Sequence, residues 1–383
     1  MEIKRNQVLV IGAGIGGLSA AIALRQIGYE VAVYDQASAL TEIGAGLTLW
    51  ANAIKALRKL GIQETALGGQ RITRSDLLDW HGQPLYSVDF SQLENEFGAP
   101  SIALHRADLQ RILLAQLPPG TLQLGMTCTG YRQDTTGVEA QFSNGSTVPG
   151  DLLIAADGIG STIRKQMQPR VQQRYSGYIA WRGVVTYTDP VAQQRVSEAW
   201  GCGSRFGVVP IGNGKIYWFA TANHPAGQKP SPADRKEELS QRFSGWHTPV
   251  EALIAATPQE QILYNDIVDF EPLSSFTDGR VVLLGDAAHA TTPNMGQGAC
   301  QALESSVVLA RSLKEEASFQ AALQRYERER MPRTSWITNQ SWQLGRYGQM
   351  EGGFQCSVRD FTIRHLPAST VMDPIRKAVG FSV

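Results

Sequence analysis

The chain has 383 residues, 43% of them hydrophobic, enough for a sizeable core and more than one domain. Lys plus Arg and Asp plus Glu stand at 35 each, so the net charge is zero, without the basic excess of a nucleic-acid footprint. No apolar run approaches the roughly 20 residues of a transmembrane helix, so no integral membrane segment is expected. Cys128, Cys202, Cys300 and Cys356 are widely spaced without a metal pattern and read as buried free thiols of a reducing compartment. The opening MEIKRNQ leads directly into an apolar strand, leaving no room for a signal peptide, and a cytoplasmic protein is expected.

Val8 to Ile11 are continuously apolar, as in a buried parallel strand. Gly12, Gly14 and Gly17 follow in G-x-G-x-x-G spacing, and Leu18, Ala21, Ile22 and Arg25 then recur at helical spacing before a stop at Gly28. A second apolar run, Val31 to Tyr34, ends at Asp35. Gly12 permits the tight turn, Gly14 admits a pyrophosphate against the helix N-terminus, and Gly17 allows close helix–strand packing. Asp35 is placed to accept hydrogen bonds from ribose hydroxyls. A dinucleotide is expected here, and these residues alone do not distinguish which.

Residues 42–47 form a glycine-containing loop, either an approach to a flat ligand or an ordinary turn, and Asn52 to Leu60 are helical. Residues 76–90 predict a hairpin turning at His81-Gly82-Gln83-Pro84. Arg106 opens the helix that follows, as a surface charge or a ligand contact. Short alternating strands fill 121–150. Leu152 to Ala156 form another apolar strand, stopping at Asp157-Gly158, where the acid can cap the next helix or meet a ligand. Residues 175–222 alternate, rich in aromatic and β-branched residues, and turn at Gly212-Asn213-Gly214, which predicts an antiparallel sheet joined by the 76–90 hairpin. Its aromatics Tyr178, Trp181, Phe206, Tyr217, Trp218 and Phe219 read mainly as core, with alternation sending some to the opposite face. Residues 232–256 predict a helical cover.

A third apolar strand, Val281 to Leu284, stops at Gly285-Asp286, and a loop through Pro293, Asn294, Gly296, Gln297 and Gly298 feeds a helix over Ala299 to Leu313. His289 reads as a structural hydrogen bonder. The last 50 to 60 residues are helical. Ligands of open parallel sheets bind at the carboxyl ends of strands, so the three strand ends can converge on one molecule.

These three motifs in this order resemble the group A flavoprotein monooxygenases, the single-component FAD-dependent aromatic hydroxylases. G-A-G-I-G-G with Asp35 resembles their ADP-binding motif. Asp157-Gly158-x-x-Ser161-x-x-Arg164 resembles the DG motif, linked to FAD and NAD(P)H. Gly285-Asp286 with Pro293 and Gly296-Gln297-Gly298 resembles the GD motif, whose aspartate binds ribityl or ribose hydroxyls. Arg106 falls where the family places an FAD-contacting arginine. Trp181-Arg182-Gly183, Arg205-Phe206-Gly207 and Tyr217-Trp218-Phe219 are most similar to the branch of urate hydroxylases and zeaxanthin-epoxidase-like enzymes. Urate hydroxylases use an arginine, a tyrosine and an aspartate beside the flavin. Arg205 and Tyr217 match the first two, and Asn294 replaces the aspartate, as in the epoxidase-like subgroup. Ser305-Ser306 after Glu304 departs from the usual Glu-Asp-Ala, with an expected effect on local packing.

The resemblance implies an α/β chain. A Rossmann-like FAD-binding domain of the glutathione-reductase/p-hydroxybenzoate-hydroxylase type (1–75, 100–174, 270–335) would carry an inserted antiparallel β-sheet substrate domain (76–99, 175–269) and a C-terminal helical segment (336–383). It implies a monooxygenase in which NAD(P)H, a transient visitor without its own domain, reduces FAD, O2 adds at flavin C4a, and the hydroperoxide hydroxylates or epoxidises a small aromatic, heteroaromatic or polyene molecule. FAD would be held by Gly12, Gly14, Gly17, Asp35, Arg106, Asp157, Gly158, Arg164, Gly285, Asp286, Pro293, Gly296, Gln297 and Gly298. Arg205, Tyr217, Pro293 and Asn294 would form the reaction site, with Arg205, Phe206 and Tyr217 as the substrate wall and Arg205 able to hold an anionic group. Two other readings stand beside this one: an oxidase or reductase on the same fold, and a non-catalytic dinucleotide-binding protein. A halogenase would want a W-x-W-x-I-P segment, which the chain lacks.

Overall fold

The computed structural model describes residues 7–40, 45–228, 231 and 233–383. Residues 42–44 of the expected glycine loop lie outside the described residues. The first apolar run forms the strand Gln7–Ile11, with Val8, Leu9 and Val10 fully buried because strands flank both edges and both faces are covered. Val10 points toward Gly17 of the helix Ile15–Gln26, and Leu9 points the opposite way, against Gly150 of a three-stranded sheet. The six strands of the central sheet run in the order Thr277–Asp278, Val281–Leu283, Leu152–Ala155, Gln7–Ile11, Glu30–Tyr34, Leu122–Gln123. Thr277–Asp278 is antiparallel to its neighbour and the other pairings are parallel.

Register decides what this sheet presents. Ile11 pairs with Ala155, and Ala155 with Leu283, so the three strands end at one level. Gly12, Asp157 and Gly285-Asp286 therefore emerge side by side. The helices Ile15–Gln26 and Gly298–Glu315 pack against each other here, tied by Ser19 Oγ and Ser306 Oγ at 3.0 Å. Ser305 Oγ meets His289 Nε2 at 3.0 Å and accepts from Arg330 Nε at 3.1 Å, so both serines of the unusual Glu-Ser-Ser sequence are used in packing.

A seven-stranded sheet lies beyond the strand ends, in the order Leu263–Asp269, Arg174–Thr186, Lys215–Asn223, Ser204–Pro210, Val196–Trp200, Arg74–Asp79, Pro84–Asp89. It is not wholly antiparallel: the hairpin joins through a parallel pairing of Arg74–Asp79 with Val196–Trp200. Alternation divides its side chains cleanly. Trp181, Phe206 and Trp218 point to one face and form a second core with the helices Arg235–Arg242 and Val250–Ala256. These two short helices replace the single cover expected over 232–256. Ala180, Arg182, Tyr217 and Phe219 point to the other face. The long helix Phe319–Gly348 runs from the first sheet to the second through Pro332, so the break expected between 335 and 336 falls inside one element. Cys128, Cys300 and Cys356 are buried, whereas Cys202 is exposed. Among the described residues no helix is long and apolar enough to cross a membrane.

Candidate active site

A cavity of about 870 Å3 opens where the three parallel strands end and extends to the inner face of the seven-stranded sheet. Gly12 lines its floor at φ +104°, and a Cβ there would stand 2.3 Å from the Ala156 carbonyl, so only glycine fits between the neighbouring strand ends. Gly14 is the N-cap of Ile15–Gln26 and supplies no capping side chain. The first N–H groups of that helix therefore face the cavity as an anion site. Asp35 is pinned at the end of its strand, with Oδ2 accepting from the Ala13 N–H at 2.6 Å and Oδ1 from the Ala37 N–H at 2.8 Å.

Asp157 takes the capping role and keeps one carboxylate oxygen free. Its Oδ2 accepts the Thr162 N–H at 2.9 Å, capping the helix Thr162–Met167, while its buried Oδ1 has no protein partner. Burial raises its carboxyl above the usual range, against hydrogen bonds from Ser161 and the Thr162 N–H. The Asp286 side chain faces the cavity and, among the described residues, makes no hydrogen bond. Enclosure by protein raises its carboxyl, and Arg106, also lining the cavity, draws it down. A second helix aims its N-terminus here: Gly298–Glu315 is capped by Gln297, whose side chain bonds none of its N–H groups.

The far wall is a polar network. Arg205, 3% exposed, donates from Nη2 to Asn294 Oδ1 at 2.8 Å and from Nε to Gln349 Oε1 at 2.7 Å. Its charge is met by Glu198, 3.2 Å from Nη1. Asn294 Nδ2 in turn donates to the Ser341 carbonyl at 2.8 Å and to Thr292 Oγ1 at 2.9 Å. Arg205 thus binds the loop and the end of the long helix to the sheet, with its guanidinium engaged by Asn294, Gln349 and Glu198. Tyr217 and Phe219 line the cavity with their rings 6.1 Å apart. A Cβ on Gly46 would lie 2.5 Å from Tyr217 Cβ, so the strand Gly46–Leu49 presses its backbone directly on that tyrosine.

Three residues expected at the cofactor are turned away from the cavity. Gly17 abuts the Gly12 carbonyl, where a Cβ would stand at 1.9 Å. Arg164, 1% exposed, donates to the Ile159 carbonyl at 2.8 Å and lies 4.4 Å over the Phe270 ring. Gln297, also 1% exposed, accepts from Asn52 Nδ2 at 3.0 Å. Sequence reasoning gave no role to Arg182, Glu198 or Gln349. Parity alone could have placed Arg182, since an inward Trp181 sends its neighbour to the other face. His289 is buried beside Arg330, and burial first, with that cation second, holds it down to about 3, a neutral structural imidazole.

The cavity fits a flavin dinucleotide on its own evidence. Two helix N-termini without a side-chain cap bond, a carboxylate oxygen without a protein partner and a floor where only Gly12 fits converge on one cavity. The sequence profile of the FAD binding domain family matches residues 5–341. The chain belongs to the group A flavoprotein monooxygenases. It is an oxidoreductase with FAD as cofactor, and NAD(P)H is the co-substrate typical of the family. Among its relatives, the aurachin C monooxygenase/isomerase of Stigmatella aurantiaca is 43% identical over 376 residues, 98% of either chain. The FAD-dependent urate hydroxylase of Klebsiella pneumoniae subsp. pneumoniae is 37% identical over 337 residues, 85% of this chain and 86% of the hydroxylase. The crystal structure of Klebsiella pneumoniae HpxO complexed with FAD and uric acid superposes with a TM-score of 0.92 at 31% identity, covering 98% of this chain and 96% of HpxO.

Proposed function

We propose that the enzyme transfers one oxygen atom of O2 to a planar aromatic or heteroaromatic small molecule, with NAD(P)H as electron donor. The observation that carries this is the continuity of the cavity: Gly12, Asp157 and Asp286 at the strand ends and Tyr217 and Phe219 on the sheet line one volume. The urate of the hydroxylase relatives and the uric acid bound to HpxO belong to the same chemical class.

Gly12, Gly14, Asp35, Arg106, Asp157, Gly158, Gly285 and Asp286 are the groups that would hold FAD, the carboxylates toward hydroxyls and the Gly14 helix end toward phosphates. Bound FAD supplies the redox chemistry that activates O2. The N–H groups at the start of Gly298–Glu315 favour negative charge developing beside them. Pro293 and Asn294 wall the site, and the Arg205–Asn294–Gln349 bonds hold that wall in one geometry while limiting the entry of water. Tyr217 and Phe219, their rings tilted 38° to each other, offer an aromatic wall to a ring.

A screen of ring compounds for stimulated NAD(P)H oxidation, with product oxygenation measured alongside, tests this reading. Oxygenated product in step with NAD(P)H consumed is the expected result. Stimulated oxidation with all O2 recovered as H2O2, for every compound, would instead assign an oxidase.

A further inference from the structure

Cys202 sits in the turn between the strands Val196–Trp200 and Ser204–Pro210, with a glycine on either side. Those glycines let the turn lie close on its surroundings. A Cβ on Gly201 would stand 2.9 Å from the Trp246 ring, and one on Gly203, at φ +68°, would stand 3.0 Å from Glu351 Cγ. The turn is fastened to the residues that follow the long helix. The Gly203 N–H donates to the Met350 carbonyl at 2.6 Å, Gln349 Nε2 to the Gly203 carbonyl at 3.3 Å, and Arg359 Nη2 to the Gly201 carbonyl at 3.1 Å. Cys356, in the first turn of the helix Gly353–Arg364, donates from Sγ to the same Met350 carbonyl at 3.3 Å and also hydrogen-bonds the Cys202 thiol. One carbonyl thus gathers the N–H that follows Cys202 and the thiol of Cys356. The other two cysteines are placed differently: Cys128 donates to the Gly130 carbonyl, and Cys300 to those of Thr48 and Gly296.

We infer that Cys202 and Cys356 are a peroxide-sensitive dithiol, whose oxidation to a disulfide locks the C-terminal helix to the seven-stranded sheet and slows turnover. Hydrogen peroxide alone balances the chemistry. The exposed Cys202 sulfur attacks one peroxide oxygen, the O–O bond breaks, and Cys202 becomes a sulfenic acid as one water leaves. The Cys356 sulfur then attacks the Cys202 sulfur, the S–O bond breaks, and the departing hydroxide takes the thiol proton as a second water. NAD(P)H oxidation that reduces O2 without oxygenating a substrate yields the same peroxide, so the signal arises at the enzyme itself. Burial first and the Cys202 hydrogen bond second push the Cys356 thiol up to about 12, against the Arg359 guanidinium, so it keeps its proton. A resolving thiol held protonated attacks slowly, and the pair therefore answers sustained peroxide rather than a brief pulse. The effect on turnover runs through Gln349. Two sulfurs in contact must close to about 2.05 Å to bond, and the Cys202 turn or the residues before Cys356 take up the movement. Gln349 holds the Gly203 carbonyl, Asn223 and, at 2.7 Å, Arg205, which holds Asn294 in the cavity wall, so the movement is passed to that wall.

The test uses the FAD-loaded enzyme, reduced, freed of reductant and then held with or without a molar excess of hydrogen peroxide. Thiols titrated after denaturation should fall by two from the four of the reduced chain, and peptide mass mapping should find Cys202 joined to Cys356. NAD(P)H oxidation with an activating ring compound should fall by several-fold to about a hundredfold, as for a displacement of about 1 Å near a reacting site. Dithiothreitol should restore it. Cys202→Ser, at an exposed position outside the cavity, should keep the basal rate and retain it in peroxide. An unchanged thiol count, a disulfide between other cysteines, or a Cys202–Cys356 disulfide with an unchanged rate would each overturn the inference. So would equal inhibition of Cys202→Ser, which would place the damage elsewhere. Thiol counting and mapping need no substrate, and NAD(P)H oxidation without a ring compound supplies the rate if none activates. Failure of the proposed oxygen transfer is thereby told apart from failure of the dithiol.

Discussion

Replacing Glu304 by alanine should destabilise the enzyme through a network that reaches the active-site helix. The Glu304 carboxylate is fully buried and receives Arg330 Nη1 and Arg333 Nη2, each at 2.6 Å, together with Asn52 Nδ2. Burial is the largest influence and would raise its carboxyl, but the two arginines and Asn52 together hold it below the usual range. Removing it strands Arg330, which is 0% exposed, with neutral partners only. Stranding one member of a buried ion pair costs about 3–5 kcal/mol. For a chain of 383 residues the unfolding entropy is about 0.8 kcal/mol/K, so Tm should fall by about 4–6 °C. Asn52 also bonds Gln297, the cap of the helix facing the cavity, so FAD affinity should fall as well. Glu304→Gln should lie between, keeping hydrogen bonds and losing the charge. Because the folded pKa is lowered, this stabilisation is present at neutral pH and is lost on acidification below about pH 4. Calorimetry of wild type and both variants at neutral pH is the assay, and a Tm within one degree of wild type in Glu304→Ala would refute the reasoning.

Other perturbations address separate parts of the structure. His289 stays neutral in the fold down to about pH 3, whereas the unfolded chain binds its proton below about pH 6.5. Stability should therefore decline by about 1.4 kcal/mol per pH unit below pH 6.5 from this group, and His289→Gln should flatten that part of the denaturation profile. Asp286→Ala removes a cavity-facing carboxylate that bonds nothing in the protein. It should weaken FAD binding about tenfold to a hundredfold without lowering apoprotein Tm, and undiminished FAD affinity by titration would show that Asp286 is not a ligand. Gly46→Val would drive a side chain into Tyr217, so KM for the substrate should rise while FAD content stays stoichiometric, as measured by steady-state kinetics and the flavin spectrum.

The cofactor half of the site was legible because three separate strands stop at a glycine or an acid, and parallel strands of one sheet end at one level. Patterning supplied position along the chain, not rotation about it. Arg164 and Gln297 occupy motif positions, yet Arg164 folds back on the Ile159 carbonyl and Gln297 turns toward Asn52. On the second sheet, alternation said only that some aromatics face away from the core, and the structure turns Trp181 and Trp218 to the core and Tyr217 and Phe219 to the cavity. Which arginine stands free was illegible, since Arg205 is engaged by Gln349, 144 positions away, through helices whose packing no local spacing encodes. The parallel pairing of Arg74–Asp79 with Val196–Trp200 has the same origin, a contact between strands more than a hundred residues apart. The boundary drawn between 335 and 336 falls inside the long helix, which also runs on through Pro332, because packing over thirty residues outweighs the one hydrogen bond a proline removes.

The most direct test of the account is turnover of an activating ring compound under 18O2 with NAD(P)H, the product being analysed by mass spectrometry. The account predicts one 18O atom in each product molecule, with NAD(P)H and O2 consumed in equal amounts. A product without 18O, or O2 recovered entirely as H2O2, would contradict it.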